Sequence, residues 1–583
     1  MSALKKTKEN AVSTQPDYRA FLASFQDRVD KVIHDLTQNR IMERIWACDH
    51  TVWKDDPEEI TNRLGWLQSP EKMRDNLDNI TAFVETARRM DFRRALLLGM
   101  GGSSLAPEVF RAIFGKKAGY PDLNVIDTTH PDVIIDWTHR VRNEKTLFIV
   151  STKSGATVET LSLMKHFYNL LLNDQGKEAA GSHFIAITDP ESPLTKEADR
   201  LGFLKVFKAD PEIGGRYSVI SHFGLVPAAL IGMNPELILE KARTMIRNGE
   251  KTALHLGVSM GELALSGKDK LTLILSRKIE PFSAWVEQLI AESTGKEGKG
   301  IVPVTGEIVG PPQVYDNDRL FVHVRLKNDR SQDDMMDTLV KAGYPLIRIN
   351  IDEPYDLCGE FLRWEMATAV AGAHMRINPF DQPNVESAKR AAKQILRAYR
   401  EKGVFPESQP DSESGGVLIH SPYGGGSLKD VFKRFFSFIQ PGKDKNSYRS
   451  YVSIQAYIKP DSKTDKALQA FRQRIRNRFH VAVTIGYGPR FLHSTGQLHK
   501  GDAGHGLFIQ LTSEVKQDLP IPDKAGESGS GVTFGILKSA QALGDRQALI
   551  DAGRKVIRFH LKTDISEAME QMTRALPIIK QGG

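Results

Sequence analysis

Cysteine is nearly absent from this chain of 583 residues: Cys48 and Cys358 are the two it has. They cannot build a disulfide framework and stand in no metal-binding spacing, so a reducing compartment, the cytoplasm, is the expected setting. No apolar run approaches the roughly 18 residues that suggest a membrane span, and the opening MSALKKTKENAVSTQP is polar, without the apolar core of a signal peptide. A dominant charge is missing as well. Lys and Arg number 79 against 72 Asp and Glu, a net +7, with both signs interspersed. That pattern disfavours nucleic acid or a membrane as partner and suits small anionic molecules.

What is present is globular: 40% hydrophobic and 26% charged residues, enough for sizeable cores. At about 150 residues per domain the length suggests roughly three to four domains. Residues 17–47 place Phe21, Phe25, Val29, Val32 and Leu36 at helical spacing and predict an amphipathic helical preface. From about residue 92, short apolar runs alternate with helical patterns: Ala95–Leu98, Leu147–Val150, Phe184–Ile187, Leu271–Leu275, Leu320–Val324 and Leu346–Ile351. Such alternation predicts an α/β fold with two parallel sheets built from βαβ units. The stretch Pro406–Gly416 (PESQPDSESGG) reads as a linker. Beyond it a third α/β region follows, and no internal repeat at solenoid periods is visible. The boundaries expected are a tail and helical segment over 1–80, α/β units over 81–245 and 246–405, and a C-terminal α/β region over 406–583.

Ligands of parallel sheets sit beyond the carboxyl ends of the strands, so the turns there are where chemistry is sought. The first, Gly99-Met100-Gly101-Gly102-Ser103-Ser104, leads into a helix, where backbone amides and the helix dipole favour an anion. A dinucleotide fingerprint would place its third glycine where Ser104 stands, which counts against that cofactor. The second, Ser151-Thr152-Lys153-Ser154-Gly155-Ala156-Thr157, sets hydroxyls, an ammonium and a helix start together and suits a phosphate monoester; its bland alternative is a Ser/Thr helix cap. The third, Gly214-Gly215-Arg216, can bend tightly and present a guanidinium, or leave a surface arginine in a loop.

Acid–base candidates follow. In FSAWVEQLIAEST (Phe282–Thr294) Gln288 and Glu292 lie four apart and share one helix face. In Phe380–Lys389 (FDQPNVESAK) Gln382 and Lys389 lie about two turns apart. Solvated helix residues are the plain alternative for both. His493, His499 and His505 are too loosely spaced for a recognised metal motif, so no metal site is expected.

Taken jointly, Gly102-Ser103, Thr152-Lys153-Ser154 with Thr157, Gly215-Arg216, Gln288 with Glu292, and Gln382 with Lys389 resemble the phosphoglucose isomerase family in residue type and chain order. Asn384 stands where that family usually has glycine. Asp49–Trp53, Asn62–Leu67 and Tyr487–His493 bring the likeness closest to the isomerase half of fused transaldolase/phosphoglucose isomerase proteins, from about residue 40 onward. The resemblance implies two sugar-isomerase (SIS) subdomains with flavodoxin-like parallel sheets and a C-terminal α/β extension. It implies an aldose–ketose isomerase interconverting glucose 6-phosphate and fructose 6-phosphate by ring opening and proton transfer through an enediol, without cofactor or metal and usually homodimeric. Glu292 would be the base, Arg216 would stabilise negative charge, and Lys389 would assist ring opening. Ordinary members supply a histidine between the glutamate and the lysine, but Gly300–Asn317 has none. Leu492-His493-Ser494-Thr495-Gly496-Gln497 resembles that histidine segment and implies its relocation beyond Lys389, with His493 as the ring-opening group. A non-catalytic sugar-phosphate-binding module, or an isomerase that also accepts mannose 6-phosphate, is the alternative.

Overall fold

The computed structural model describes residues 12–15, 18–406, 409–440 and 449–576. It opens on an antiparallel hairpin, β1 (Val12–Gln15) and β2 (Tyr18–Phe21), followed by helices α1 (Gln26–Gln38) and α2 (Ile41–Trp46). The helical expectation for 17–47 therefore fails at its start. Residues 18–21 alternate buried and exposed with the two-residue period of a strand, and Tyr18 and Ala20 are wholly buried.

Five parallel strands form the first sheet, β3 (Arg94–Gly99), β4 (Asp122–Ile126), β5 (Thr146–Ser151), β6 (Phe184–Thr188) and β7 (Lys205–Lys208), in spatial order β4-β3-β5-β6-β7. The interiors of β3, β5 and β6 are apolar and buried throughout, as a sheet covered on both faces requires. β3 runs into α3 (Leu105–Phe114) and β5 into α4 (Val158–Gln175).

The second sheet combines α5 (Glu250–Leu265), β8 (Lys270–Leu275), α6 (Phe282–Thr294), β9 (Val302–Val304), β10 (Arg319–Leu326), α7 (Asp333–Lys341), β11 (Leu346–Ile351) and α8 (Leu357–Met375). Its four parallel strands lie in order β9-β8-β10-β11, and the N-terminal hairpin closes the far edge through antiparallel β2 on β11. Helix α9 (Val385–Lys402) follows.

A third sheet is built from β12 (Ser412–Ser414), β13 (Val417–His420), α10 (Leu428–Phe436), β14 (Tyr451–Tyr457), α11 (Ser462–Phe479), β15 (Ala482–Tyr487), α12 (Gly496–Gly501) and β16 (Gly506–Ser513). A two-residue ladder, β17 (Pro520–Ile521) with β18 (Val532–Thr533), then precedes α13 (Phe534–Asp551), β19 (Lys555–Leu561) and α14 (Ile565–Ala575). The order in the sheet is β12-β13-β19-β16-β14-β15. Here the linker reading is corrected. Residues 412–414 pair with β13 across Gly415-Gly416, both at positive φ, a two-residue hairpin turn that glycine permits.

One continuous apolar core joins the N-terminal helices, one face of the first sheet and the second sheet; the third sheet has its own. The other face of the first sheet is covered in part by Phe534 and Leu537 of α13. The C-terminal region is thereby brought against the strand ends where a ligand would sit. Among the described residues no helix is long and apolar enough to cross a membrane.

Candidate active site

In the first sheet the chain reverses its direction of growth between neighbouring strands β3 and β5, the place where open parallel sheets hold ligands. The turns after both strands meet there, with the Ser151 hydroxyl donating to the Ser103 carbonyl at 3.0 Å. Gly102 must be glycine, because a Cβ there would lie 2.0 Å from the Gly215 carbonyl oxygen. That close approach seats the Gly215–Tyr217 turn on the first turn. In the second turn Thr157 stands at the N-cap of α4 but makes no capping bond. Its hydroxyl pairs instead with that of Thr152 at 2.8 Å, so the cap alternative does not hold. Ser154 is exposed, its oxygen accepting from the Ala156 amide. The Lys153 ammonium turns aside to Asp189 Oδ2 at 2.5 Å and the Pro211 carbonyl at 2.9 Å.

Arg216 is buried, not a surface arginine. Its Nε donates to Ser293, one Nη to Gln382 Oε1, and the other to the carbonyls of Pro379 and Asp381, at 2.6–2.9 Å. Four of its five N–H donors are thus taken, and Nη1 also lies 3.4 Å from Glu292 Oε1. Gln288 and Glu292 share a face of α6 as their spacing predicts, and Gln288 Nε2 donates to Glu292 Oε2 at 3.0 Å. The same nitrogen donates to the His493 carbonyl at 2.9 Å. His493 therefore reaches this cluster from within its own chain, on the turn after β15.

Its ring is held from the other side. His493 Nε2 lies 2.9 Å from Glu159 Oε1, which also accepts from Gln541 Nε2 at 2.6 Å; Gln541 Oε1 in turn accepts from Thr129 at 3.0 Å. Burial alone would raise the Glu159 carboxyl, but the adjacent imidazole outweighs it and holds the group below its ordinary value. Glu159, in the first turn of α4 two places after Thr157, escapes sequence reasoning although its position beside the phosphate turn is a usable signal. Gln541 carries no such signal. Lys296 is a further omission. Buried beside Arg216, it holds Asp381 by carboxylate and carbonyl at 2.5 and 2.6 Å. Gln497 of the histidine segment ties the Gly295 carbonyl to Asn384, joining the end of α6 to the turn that carries Gln382.

Lys389 stands apart. It lies on an exposed face of α9 with its ammonium 2.7 Å from Glu386. A cavity of about 580 Å³ opens beside Gln382, but its walls include Asp55, Glu58, Glu59, Glu297 and Asp381, a charge that repels phosphate. The Ser103 and Thr152–Thr157 turns are the better seat for an anion. Among the described residues no three His, Cys, Asp or Glu side chains are gathered as a metal would need.

Anion-suited turns at the switch point of a doubly wound sheet thus lie beside a buried acid–base cluster, the place and the chemistry that an enzyme acting on a small phosphorylated molecule would use. Residues 48–308 match the phosphoglucose isomerase family. A glucose-6-phosphate isomerase of Rubrobacter xylanophilus is 27% identical over 402 residues, which are 60% of this chain and 91% of the relative. That of Carboxydothermus hydrogenoformans is 28% identical over 384 residues, 55% of this chain and 82% of its own. The solved glucose-6-phosphate isomerase of Chlamydia trachomatis shares the fold at 18% identity, with a TM-score of 0.56 over 69% of this chain and 92% of that one. A hypothetical protein of Thermus thermophilus does so at 24%, with a TM-score of 0.54 over 65% and 99%.

Proposed function

We propose that the chain interconverts glucose 6-phosphate and fructose 6-phosphate. The observation that carries this reading is the one Gln288 amide that binds both the Glu292 carboxylate and the His493 carbonyl, gathering a carboxylate base and an imidazole beside the anion-suited turns. The phosphate lies on the Gly102-Ser103 and Thr152–Thr157 turns, a remote charged handle that positions the sugar. His493, backed by Glu159, moves protons between the ring oxygen and the anomeric hydroxyl and opens the ring. Glu292 takes the proton from C2 and returns it to C1 through an enediol. Arg216 stabilises the negative charge that develops. Gln288 Oε1, buried without a hydrogen-bond partner, accepts from a sugar hydroxyl. Lys389, exposed against Glu386, carries no step in this reading, and no cofactor is called for. A cytoplasmic setting belongs to the same reading, supported by the two free cysteines.

The test is a coupled isomerase assay on the purified chain with glucose 6-phosphate, fructose 6-phosphate and mannose 6-phosphate. Interconversion of the first two is expected. Turnover of mannose 6-phosphate without it would overturn the assignment.

A further inference from the structure

The second and third sheets have one topology. In each, a hairpin enters first and lies antiparallel at one edge, and four parallel strands follow in the same spatial and chain order: β9-β8-β10-β11-β2-β1 beside β15-β14-β16-β19-β13-β12. The helices correspond as well. α6 follows β8 and packs on β9 and α8; α11 follows β14 and packs on β15 and α14. α5 packs on α8 as α10 packs on α14.

The two units also meet reciprocally. Edge strand β9 abuts edge strand β15. Helix α6 packs on α12, in the connection after β15, while α11 packs on the Pro312–Val314 turn, in the connection after β9. Such exchange, where patch i meets j and j meets i, marks an isologous pairing about a two-fold axis. It extends to single bonds. Gln288 on α6 donates to the His493 carbonyl beyond β15, while Arg472 and Arg476 on α11 donate to the Thr305 and Ile308 carbonyls beyond β9.

Arg476 follows Arg472 by four residues, as Glu292 follows Gln288. Where one half has Gln288 and Glu292, the other has two buried arginines. Where one half has His493, the loop over residues 305–318 has no histidine and contributes Glu307, which lies 3.4 Å from Arg319 and 3.6 Å from Arg476.

We infer that the unit from β12 to α14 is a diverged internal copy of the second-sheet unit that serves as a built-in partner subunit. Of the two equivalent sites their pairing creates, one keeps the acid–base groups and the other is filled by ion pairs. The chain thus carries a single complete site, its glutamate from one copy and its histidine from the other, and needs no second chain. The divergence explains why no repeat is visible in the sequence. The inference rests on the functional reading of Glu292 and His493, and its two tests separate that reading from the duplication.

The first test titrates fructose 6-phosphate into the wild-type chain by calorimetry. One molecule bound per chain is expected, and two would overturn the inference whatever Glu292 and His493 do. The second co-expresses E292Q and H493A under different tags and assays the mixture. Activity no higher than that of the separate variants is expected. If sites were shared between chains, random pairing would restore about a quarter of wild-type activity, which would overturn the inference. Full activity of E292Q by itself would sink the functional reading, leaving the binding stoichiometry to decide on the duplication.

Discussion

His493 and Glu159 stand 2.9 Å apart across 334 positions of chain. A carboxylate on one imidazole nitrogen fixes the orientation of the ring and leaves the other nitrogen to act on the sugar. Replacing His493 by alanine is expected to slow turnover of the cyclic sugar far more than that of an open-chain analogue. Glu159→Gln keeps the hydrogen bond but removes the charge. It is expected to lower kcat by a smaller factor than His493→Ala does, because the ring stays oriented. Equal slowing of cyclic and open-chain substrates by His493→Ala would place ring opening elsewhere.

Glu292→Gln keeps the shape of the side chain and its contact with Gln288 while removing the base. Loss of a positioned general base costs on the order of a hundred- to ten-thousand-fold in rate. Turnover is expected to fall by that order, with binding of fructose 6-phosphate, measured by calorimetry, nearly unchanged. Wild-type turnover in this variant would exclude Glu292 as the proton carrier.

The anion seat is tested separately. Ser154→Ala and Thr157→Ala each remove a neutral hydroxyl from the turn after β5, worth about 0.5–1.5 kcal/mol per hydrogen bond. Raised KM values with kcat nearly constant are expected, and inorganic phosphate is expected to compete with substrate. The double variant with an unchanged KM would move the phosphate away from this turn.

β3, β5, β6, β8, β10 and β11 were legible because buried βαβ strands read as short apolar runs, whereas the edge strands β7 and β9, of four and three residues, give no such run. Residues 18–21 were misread because four residues next to a helix carry too few apolar positions to separate a period of two from 3.6. The Gly415-Gly416 hairpin had a signal, a two-residue glycine turn, hidden by the polar residues around it. Within the site, Gln288 with Glu292 follows from helix spacing alone. The place of His493 rested on its likeness to a family segment, and Gln541 was out of reach, since its partner Glu159 is 382 positions away and joined to it only by tertiary packing. For Lys389 the spacing to Gln382 suggested a shared face, whereas Gln382 lies in the turn before α9 begins and not on the helix.

Lys296 links pH to the geometry of the site. Burial, reinforced by the charge of Arg216, pulls its ammonium from 10.5 down to about 8. Below that pH the charged group holds Asp381 by two contacts, and the Asp381–Gln382 turn in turn holds Arg216. As pH rises through about 8 the ammonium loses its proton, the ion pair is lost, and kcat/KM is expected to fall. Stability moves the other way. Between the folded and unfolded values the unfolded chain binds the proton more tightly, so this group's contribution to stability rises with pH across that window. Lys296→Met lacks the titrating group, so its kcat/KM is expected to be lower and to show no decline through pH 8. Its Tm relative to wild type is expected to fall as pH rises from 7 to 10. A wild-type alkaline limb that persists unchanged in Lys296→Met would assign that limb to another group and leave the Asp381 turn indifferent to the charge beside it.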